Sequence, residues 1–219
     1  LGAIGPNGEK LKNLTTKIIN YSRVKKHIDH IVVSTEDEEI AEIAQIYGAE
    51  VPFMRPNELA QDNSIGMEVV HHALEELSEF EDILWLQPTS PLRNKEDIDG
   101  IVDFCKKKKA PAAISVCESS KHPNWMFSFN EDDVLLPFTN NKIVYNRQEL
   151  PKIYTPNGAL YFAKTKWLKK TQAFYSDETL GYIMPAARSV DIDSPLDFKL
   201  AEFLLNESIK TNNSNLLKK

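Results

Sequence analysis

Asp191 and Asp193 stand two positions apart in the run Arg188-Ser189-Val190-Asp191-Ile192-Asp193-Ser194-Pro195-Leu196-Asp197. In an extended segment side chains at i and i+2 share a face, so this spacing turns both carboxylates one way and Val190 and Ile192 the other. Hard divalent cations such as magnesium take oxygen ligands, often one or two carboxylates with water and substrate phosphate completing the shell. The pair is therefore a candidate metal site for nucleotide chemistry. It is equally a pair of solvated aspartates at a buried strand end, with Pro195 opening a helix and Asp197 in its first turn, and spacing alone favours that plainer reading.

A second segment adds weight to the chemical reading. Ile83-Leu84-Trp85-Leu86-Gln87-Pro88-Thr89-Ser90-Pro91-Leu92-Arg93 is a short apolar run that stops at a turn rich in proline and hydroxyls. The run reads as a buried strand, and ligands of open α/β sheets bind outside the carboxyl ends of such strands. Gln87, Thr89, Ser90 and Arg93 would then be offered to a ligand. Alternatively, Ser and Pro only shape an ordinary strand-to-helix connection.

The elements that must position these groups alternate between strand and helix, the pattern of a mainly parallel sheet with helices on its faces. Residues 1–4 and 30–34 read as strands. A helix is predicted over 38–47, stopped by Gly48, and another over 66–77 with Met67, Val70, Ala73 and Leu77 as a core stripe. After the 83–87 strand come a helix near 95–107 and a small-residue strand at 112–116. Lys106 to Lys109 read as a solvated helix end complementing the dipole. Short strands at 125–129, 134–138 and 143–145 break the alternation as a hairpin arm.

At 219 residues and 42% hydrophobic content the chain can bury one sizeable core. Its net charge of -6 argues against a nucleic-acid groove. Cys105 and Cys117 lack metal-ligand spacing and are too few for a disulfide framework, so they read as small buried hydrophobes in a reducing compartment. With no membrane-length apolar run and no signal peptide, a cytoplasmic location is expected.

Six segments occur in order across residues 13–205: Val32-Val33-Ser34-Thr35 with Asp37-Glu38-Glu39-Ile40-Ala41; Phe53-Met54-Arg55-Pro56-Asn57-Glu58-Leu59-Ala60; residues 86–93; Asn146-Arg147-Gln148-Glu149-Leu150-Pro151; Pro156-Asn157-Gly158-Ala159-Leu160-Tyr161; and residues 189–193. Together they resemble the acylneuraminate cytidylyltransferases, the CMP-sialic acid synthetase family. The resemblance implies a Rossmann-like nucleotidyltransferase fold of the α/β class, a mainly parallel twisted sheet flanked by helices with a small β-hairpin dimerisation arm. It implies one nucleotidyltransferase domain over 1–210, with the arm within 121–160, a polar tail at 211–219, and a homodimer that shares its pockets between chains. The implied reaction moves a cytidylyl group from CTP to the anomeric hydroxyl of a nine-carbon keto acid sugar, N-acetylneuraminate or a legionaminic or pseudaminic relative, releasing pyrophosphate.

In that resemblance Asp191 and Asp193 match metal-binding aspartates for Mg2+, and Lys12 is catalytic as well as nucleotide-binding. Lys12, Asn13, Arg55, Ser64, Gly5 and Gly8 match the nucleotide site. Gln87, Arg147, Tyr161, Phe174, Tyr175 and, on a loose alignment, Lys121 match the sugar pocket. On residue type alone Arg55 is a surface ion pair, Ser64 a helix N-cap, Phe174 and Tyr175 core, and His122 a turn residue. Trp125 stands where some relatives carry Lys, which points away from N-acetylneuraminate as acceptor.

The departure from the family pattern is at the amino end, Ala3-Ile4-Gly5-Pro6-Asn7-Gly8-Glu9-Lys10-Leu11-Lys12-Asn13, where the loop arginine has no counterpart and Lys10 is a displaced substitute. The run from Thr15 to His30 is also short. Either the loop has degenerated or residues that complete it are missing here, and the good match elsewhere favours the second, which predicts a backbone break between Leu1 and Val24. A catalytically silent nucleotide- or sugar-binding homologue, or a nucleotidyltransferase for another sugar, are the alternatives to the enzyme.

Overall fold

The computed structural model describes residues 26–61, 63–139 and 143–216. The expectations placed on Gly5, Gly8, Lys12, Asn13, the first strand and the backbone break lie outside those residues.

Local chemistry sets the helices. Asp37 caps α1 (Glu38–Ile46), its carboxylate accepting from Ile40 N at 3.0 Å, and Glu38 and Glu39 complement the dipole in the first turn. α2 spans Gly66–Glu76 and buries Val70 and Leu74. α3 (Lys95–Lys108) opens with a reciprocal capping box between Asn94 and Asp97 and ends on Lys106, Lys107 and Lys108, with Lys109 left-handed at its C-cap. The basic run is thus a helix end, as expected. α4 is the short Thr165–Thr171 helix, which the periodicity did not reveal, and α5 runs from Pro195 to Leu216. The 211–219 tail is therefore helical as far as Leu216.

Strands β1 (Asp82–Trp85), β2 (Ala112–Glu118), β5 (Tyr154–Lys164) and β6 (Thr179–Ile183) form one sheet in the order β1-β5-β2-β6. β2 and β6 pair in parallel, while β5 runs antiparallel between β1 and β2. Three strands thus share a direction and the sheet is mixed, because β5 follows an excursion that reverses the chain. Side chains alternate across it with period two. Ala113, Leu160 and Phe162 meet Ile98, Ile101, Val102 and Cys105 of α3 on one face. Ala112, Ile114, Val116 and Ala163 meet Val70 and Leu74 of α2 and Leu168 of α4 on the other.

The expected strand at 30–34 is reduced to one parallel bridge, Val32 to Glu50. Pro52 follows Val51 and has no N–H with which to extend that ladder. The hairpin forms as β3 (Phe127–Phe129) paired antiparallel with β4 (Leu135–Pro137). Its turn is built on Asn130, whose side-chain oxygen accepts from Asp132 N at 3.0 Å and Val134 N at 2.9 Å. No strand forms at 143–145. Val144 instead gives its N–H to Asn124 Oδ1 at 2.7 Å and accepts from Trp125 Nε1 at 2.6 Å, so side chains satisfy the groups a neighbouring strand would have taken.

Candidate active site

The site is built on an irregularity in β5. Ile114 faces Tyr161 and Val116 faces Pro156, so β5 residues 157–160 stand opposite the single β2 residue Ser115. Their backbone groups leave the ladder and are claimed by side chains. Ser115 Oγ accepts from Leu160 N at 2.8 Å, Asn157 Oδ1 from Ala159 N at 3.2 Å, and Ala159 O from Arg93 Nη1 at 2.6 Å. The Asn157 amide reaches Ser189 Oγ at 2.8 Å, and Ser115 Oγ donates to Asn157 Oδ1 at 2.5 Å.

This bulge lifts Gly158 against the segment that carries the aspartates. Gly158 has φ of +72°, and a Cβ there would stand 2.5 Å from Asp191 Oδ2, 2.9 Å from Gln87 Oε1 and 3.0 Å from Ser90 Oγ. Only glycine supplies both the left-handed backbone and that space. Ser90, fully buried, donates toward Asp191 Oδ1 at 3.2 Å and Asn157 O at 3.3 Å. Ile192 N donates to Thr89 O at 2.9 Å, tying the 189–193 segment to the turn after β1. One residue earlier, Arg188 forks onto buried Asp97 of α3 through Nε and Nη2, both at 2.7 Å.

The sequence-predicted residues separate into groups. Gln87 and Asp191 converge at Gly158, and Tyr161 lies within electrostatic reach of Asp191. Burial, the hydroxyl contact with Tyr175 and the Asp191 charge together hold the Tyr161 phenol well above its usual pKa, so it remains a neutral donor. Tyr175 is exposed, whereas Phe174 is buried and stacks at 5.9 Å on Trp85 behind Tyr161, on the core side of that aromatic group. Asp193 is exposed on the rim next to α5. Arg147 is exposed on a 3-10 turn, Arg147–Glu149, and among the described residues its guanidinium has no partner. Lys121 is exposed in a turn shaped by Ser119. Arg55 pairs with Glu36. Ser64 does not cap α2, whose N-cap is Ile65; it accepts from Gln61 N at 2.9 Å and donates to Glu58 O at 3.1 Å, closing the turn before the helix.

Two corrections concern the turn after β1. Ser90 and Arg93 do not face outward toward a ligand. Arg93 is 1% exposed, and its Nη2 donates to Gln87 O at 2.6 Å while Nη1 takes Ala159 O. A turn and a bulge that both leave their ladders present carbonyls, and the guanidinium fork is spent on them. The Ser115–Asn157–Ser189 network and the Asp97–Arg188 pair carried no signal in sequence beyond their residue types.

Among the described residues no group of three or more His, Cys, Asp or Glu is placed to hold a metal. A cation here would rest on Asp191 and Asp193 oxygens, with water and phosphate completing its shell, and such a hard-oxygen set fits magnesium. Asp191 Oδ2 lies against Gly158, in a cradle that any Cβ would fill. Cys105 offers no nucleophile: burial, with Asp82 nearby and Lys164 opposing, pushes its thiol up to about 11.

A protein-family model described as Cytidylyltransferase matches residues 12–215, nearly the whole chain. The chain belongs to the cytidylyltransferase family. Relatives of this cytidylyltransferase include a CMP-N,N'-diacetyllegionaminic acid synthase of Legionella pneumophila, 34% identical over 81% of this chain and 78% of that one. An N-acylneuraminate cytidylyltransferase of Escherichia coli is 31% identical over 87% of this chain but only 45% of its own length. A pseudaminic acid cytidylyltransferase of Campylobacter jejuni is 29% identical, covering 80% and 78%. Among solved structures, a CMP:2-keto-3-deoxy-manno-octonic acid synthetase complexed with CTP aligns with a TM-score of 0.65 at 14% identity, covering 89% of this chain and 88% of that one. At that identity the likeness is one of fold.

Proposed function

We propose that this chain activates a nine-carbon keto acid sugar of the N-acetylneuraminate, legionaminic or pseudaminic type with CTP, giving the CMP-sugar and pyrophosphate. The observation that carries the reading is the convergence of Gln87, Ser90 and Asp191 over the Gly158 floor, at the carboxyl end of β1, in a chain of this family. The reaction is an in-line attack of the anomeric hydroxyl on the α-phosphate, governed by positioning and charge stabilisation. Bound magnesium would neutralise the α-phosphate and lower the pKa of the attacking hydroxyl.

The chain's own groups do the rest. Asp191 and Asp193 supply the anionic oxygens, and Ser90 fixes the Asp191 carboxylate by bonding Oδ1. Gln87 offers its amide to sugar hydroxyls or the N-acyl group, and the neutral Tyr161 phenol offers an O–H beside it. Arg147, whose guanidinium is exposed and has no partner among the described residues, suits the sugar carboxylate. The Lys12-Asn13 pair and the glycine loop at Gly5 and Gly8 would take the triphosphate.

The hairpin supports a homodimer, since Phe127, Phe129, Leu135, Leu136 and Phe138 are all exposed on it. Among the described residues no helix is long and apolar enough to cross a membrane. A cytoplasmic site of action follows from the need for CTP.

Pyrophosphate release from CTP and magnesium, measured with a panel of nine-carbon keto acid sugars, tests the reading. Release with one sugar is expected and names the acceptor. Silence across the panel with CTP still bound overturns the enzyme in favour of a binding protein.

A further inference from the structure

The deepest cation in the described chain lies directly behind the candidate site and has no role in the chemistry proposed above. Arg93 is 1% exposed, a depth at which a charge persists only when its bonds repay the lost hydration. It forms no ion pair within salt-bridge distance among the described residues. Its two terminal nitrogens go to backbone oxygens on different elements, Ala159 O in the β5 bulge and Gln87 O at the end of β1, each at 2.6 Å. These carbonyls belong to the residue after the Gly158 floor and to the residue whose side chain overhangs it.

We propose that Arg93 is a positioning residue for acceptor-sugar binding, clamping the Gln87 turn to the β5 bulge so that the Gln87 amide, Gly158 and the Asp191 carboxylate keep one spacing. The inference rests on the assignment of this site to an acceptor sugar. Both segments leave the sheet there, so Ala159 O has no ladder partner and Gln87 O has, besides Arg93, only the long turn bond from Ser90 N at 3.3 Å; the planar fork of one guanidinium spans the two carbonyls in a way a single ammonium cannot. Asp191 also feels the cation. Burial pulls the Arg93 pKa down to about 9 and the Asp191 charge opposes this, so Arg93 stays protonated at neutral pH and lends Asp191 a fixed positive neighbour.

The test compares the full-length protein with Arg93→Lys and Arg93→Gln by three readouts. The first is separate KM and kcat values for CTP and for the acceptor found in the panel above. The second is amide hydrogen exchange across residues 154–164. The third is thermal unfolding. Arg93→Lys keeps the charge but loses the fork, and is expected to lower kcat/KM for the acceptor about 100-fold, the scale of a 1 Å misplacement, while the CTP KM stays within about threefold. Exchange should rise at residues 157–160 with residues 112–115 unchanged.

Equal loss on both substrates, with exchange raised across the whole sheet, would reduce Arg93 to a general support and overturn the proposal. So would Arg93→Lys behaving as the parent protein. If the parent protein releases no pyrophosphate with any sugar, the functional reading falls instead. Exchange still decides the clamp in that case: protection at 157–160 identical in parent and both variants overturns it.

Discussion

Gly158 lies beneath the Asp191 carboxylate so closely that a single added methyl would stand 2.5 Å from Oδ2. The contact joins a left-handed bulge in one strand to a loop more than thirty residues further along. Gly158→Ala therefore meets two penalties at once, a backbone conformation costing about 1–2 kcal/mol for an L side chain and a collision with the carboxylate. Turnover is expected to fall by about two orders of magnitude with the unfolding midpoint lowered by a few degrees. Steady-state kinetics and calorimetry read the two effects separately, and a fully active alanine variant would show that the floor is not part of the site.

Asp191 and Asp193 differ in surroundings although their spacing makes them look alike. Asp191 is half-buried and bonded by Ser90, whereas Asp193 is exposed. Asp191→Asn should abolish most turnover at any magnesium concentration, since it disturbs both the anionic donor and the Ser90 bond. Asp193→Asn is also expected to remove most turnover, and with fewer contacts to lose it should leave the unfolding midpoint unmoved. Magnesium titrations of pyrophosphate release check both, and near-parental rates at saturating magnesium would remove Asp193 from the metal set.

How much of this was legible in sequence follows from what each element depends on. Asp37 before Glu38 and Asn94 before Asp97 are local signals, and both helices begin where their caps place them. The apolar run ending at Gln87 likewise marked β1 and the turn beyond it. β5 was not legible, because its 157–160 bulge breaks the period-two pattern and its hydrogen bonds go to Ser115 and Arg93, residues distant in sequence. The inward turn of Arg93 was invisible for the same reason, since which way an arginine faces depends on carbonyls that only the assembled sheet presents. The 143–145 segment had strand composition, yet Asn124 and Trp125 took its backbone groups first.

Trp125 thereby acquires a testable role. Its indole N–H holds Val144 O, three residues before Arg147, so Trp125→Phe keeps the ring and releases the tether. The acceptor KM should rise severalfold while the CTP KM stays unchanged. Arg147→Ala should raise the same acceptor KM further. An unchanged acceptor KM in Arg147→Ala would take Arg147 out of the sugar pocket.

Glu36 and Arg55 make a pH-dependent contribution whose sign can be worked out. Burial pushes the Glu36 carboxyl up, but the hydrogen bond and charge of Arg55 prevail and hold it below its ordinary 4.5. A carboxyl depressed in the folded state binds fewer protons folded than unfolded. Its stabilisation is therefore fully present above 4.5 and is lost as the pH falls through the lower folded value. Denaturant unfolding of the parent and Glu36→Gln should differ by a constant amount near neutrality, with the gap closing in acid. A gap that widens in acid would reverse the assignment.

Asp97 and Arg188 give the sharpest structural test, because their pair joins the segment that carries Asp191 and Asp193 to the sheet's covering helix. Asp97 is buried on α3, and its Oδ2 accepts from both Asn94 N and Arg188 Nε. Ser189 follows directly, leading to Asp191. Asp97→Ala leaves only the more exposed Arg188 without its partner but also loses the helix cap, and should cost about 1–2 kcal/mol. Arg188→Ala leaves the buried Asp97 carboxylate uncompensated, so it should cost about 3 kcal/mol and also release the 189–193 segment, and its loss in turnover should exceed that expected from stability alone. In a double-mutant cycle, a coupling of more than about 1 kcal/mol in unfolding free energy is expected. Simple additivity of the two substitutions would mean that the pair does not anchor the aspartate segment, and that Ile192 and Ser90 hold it unaided.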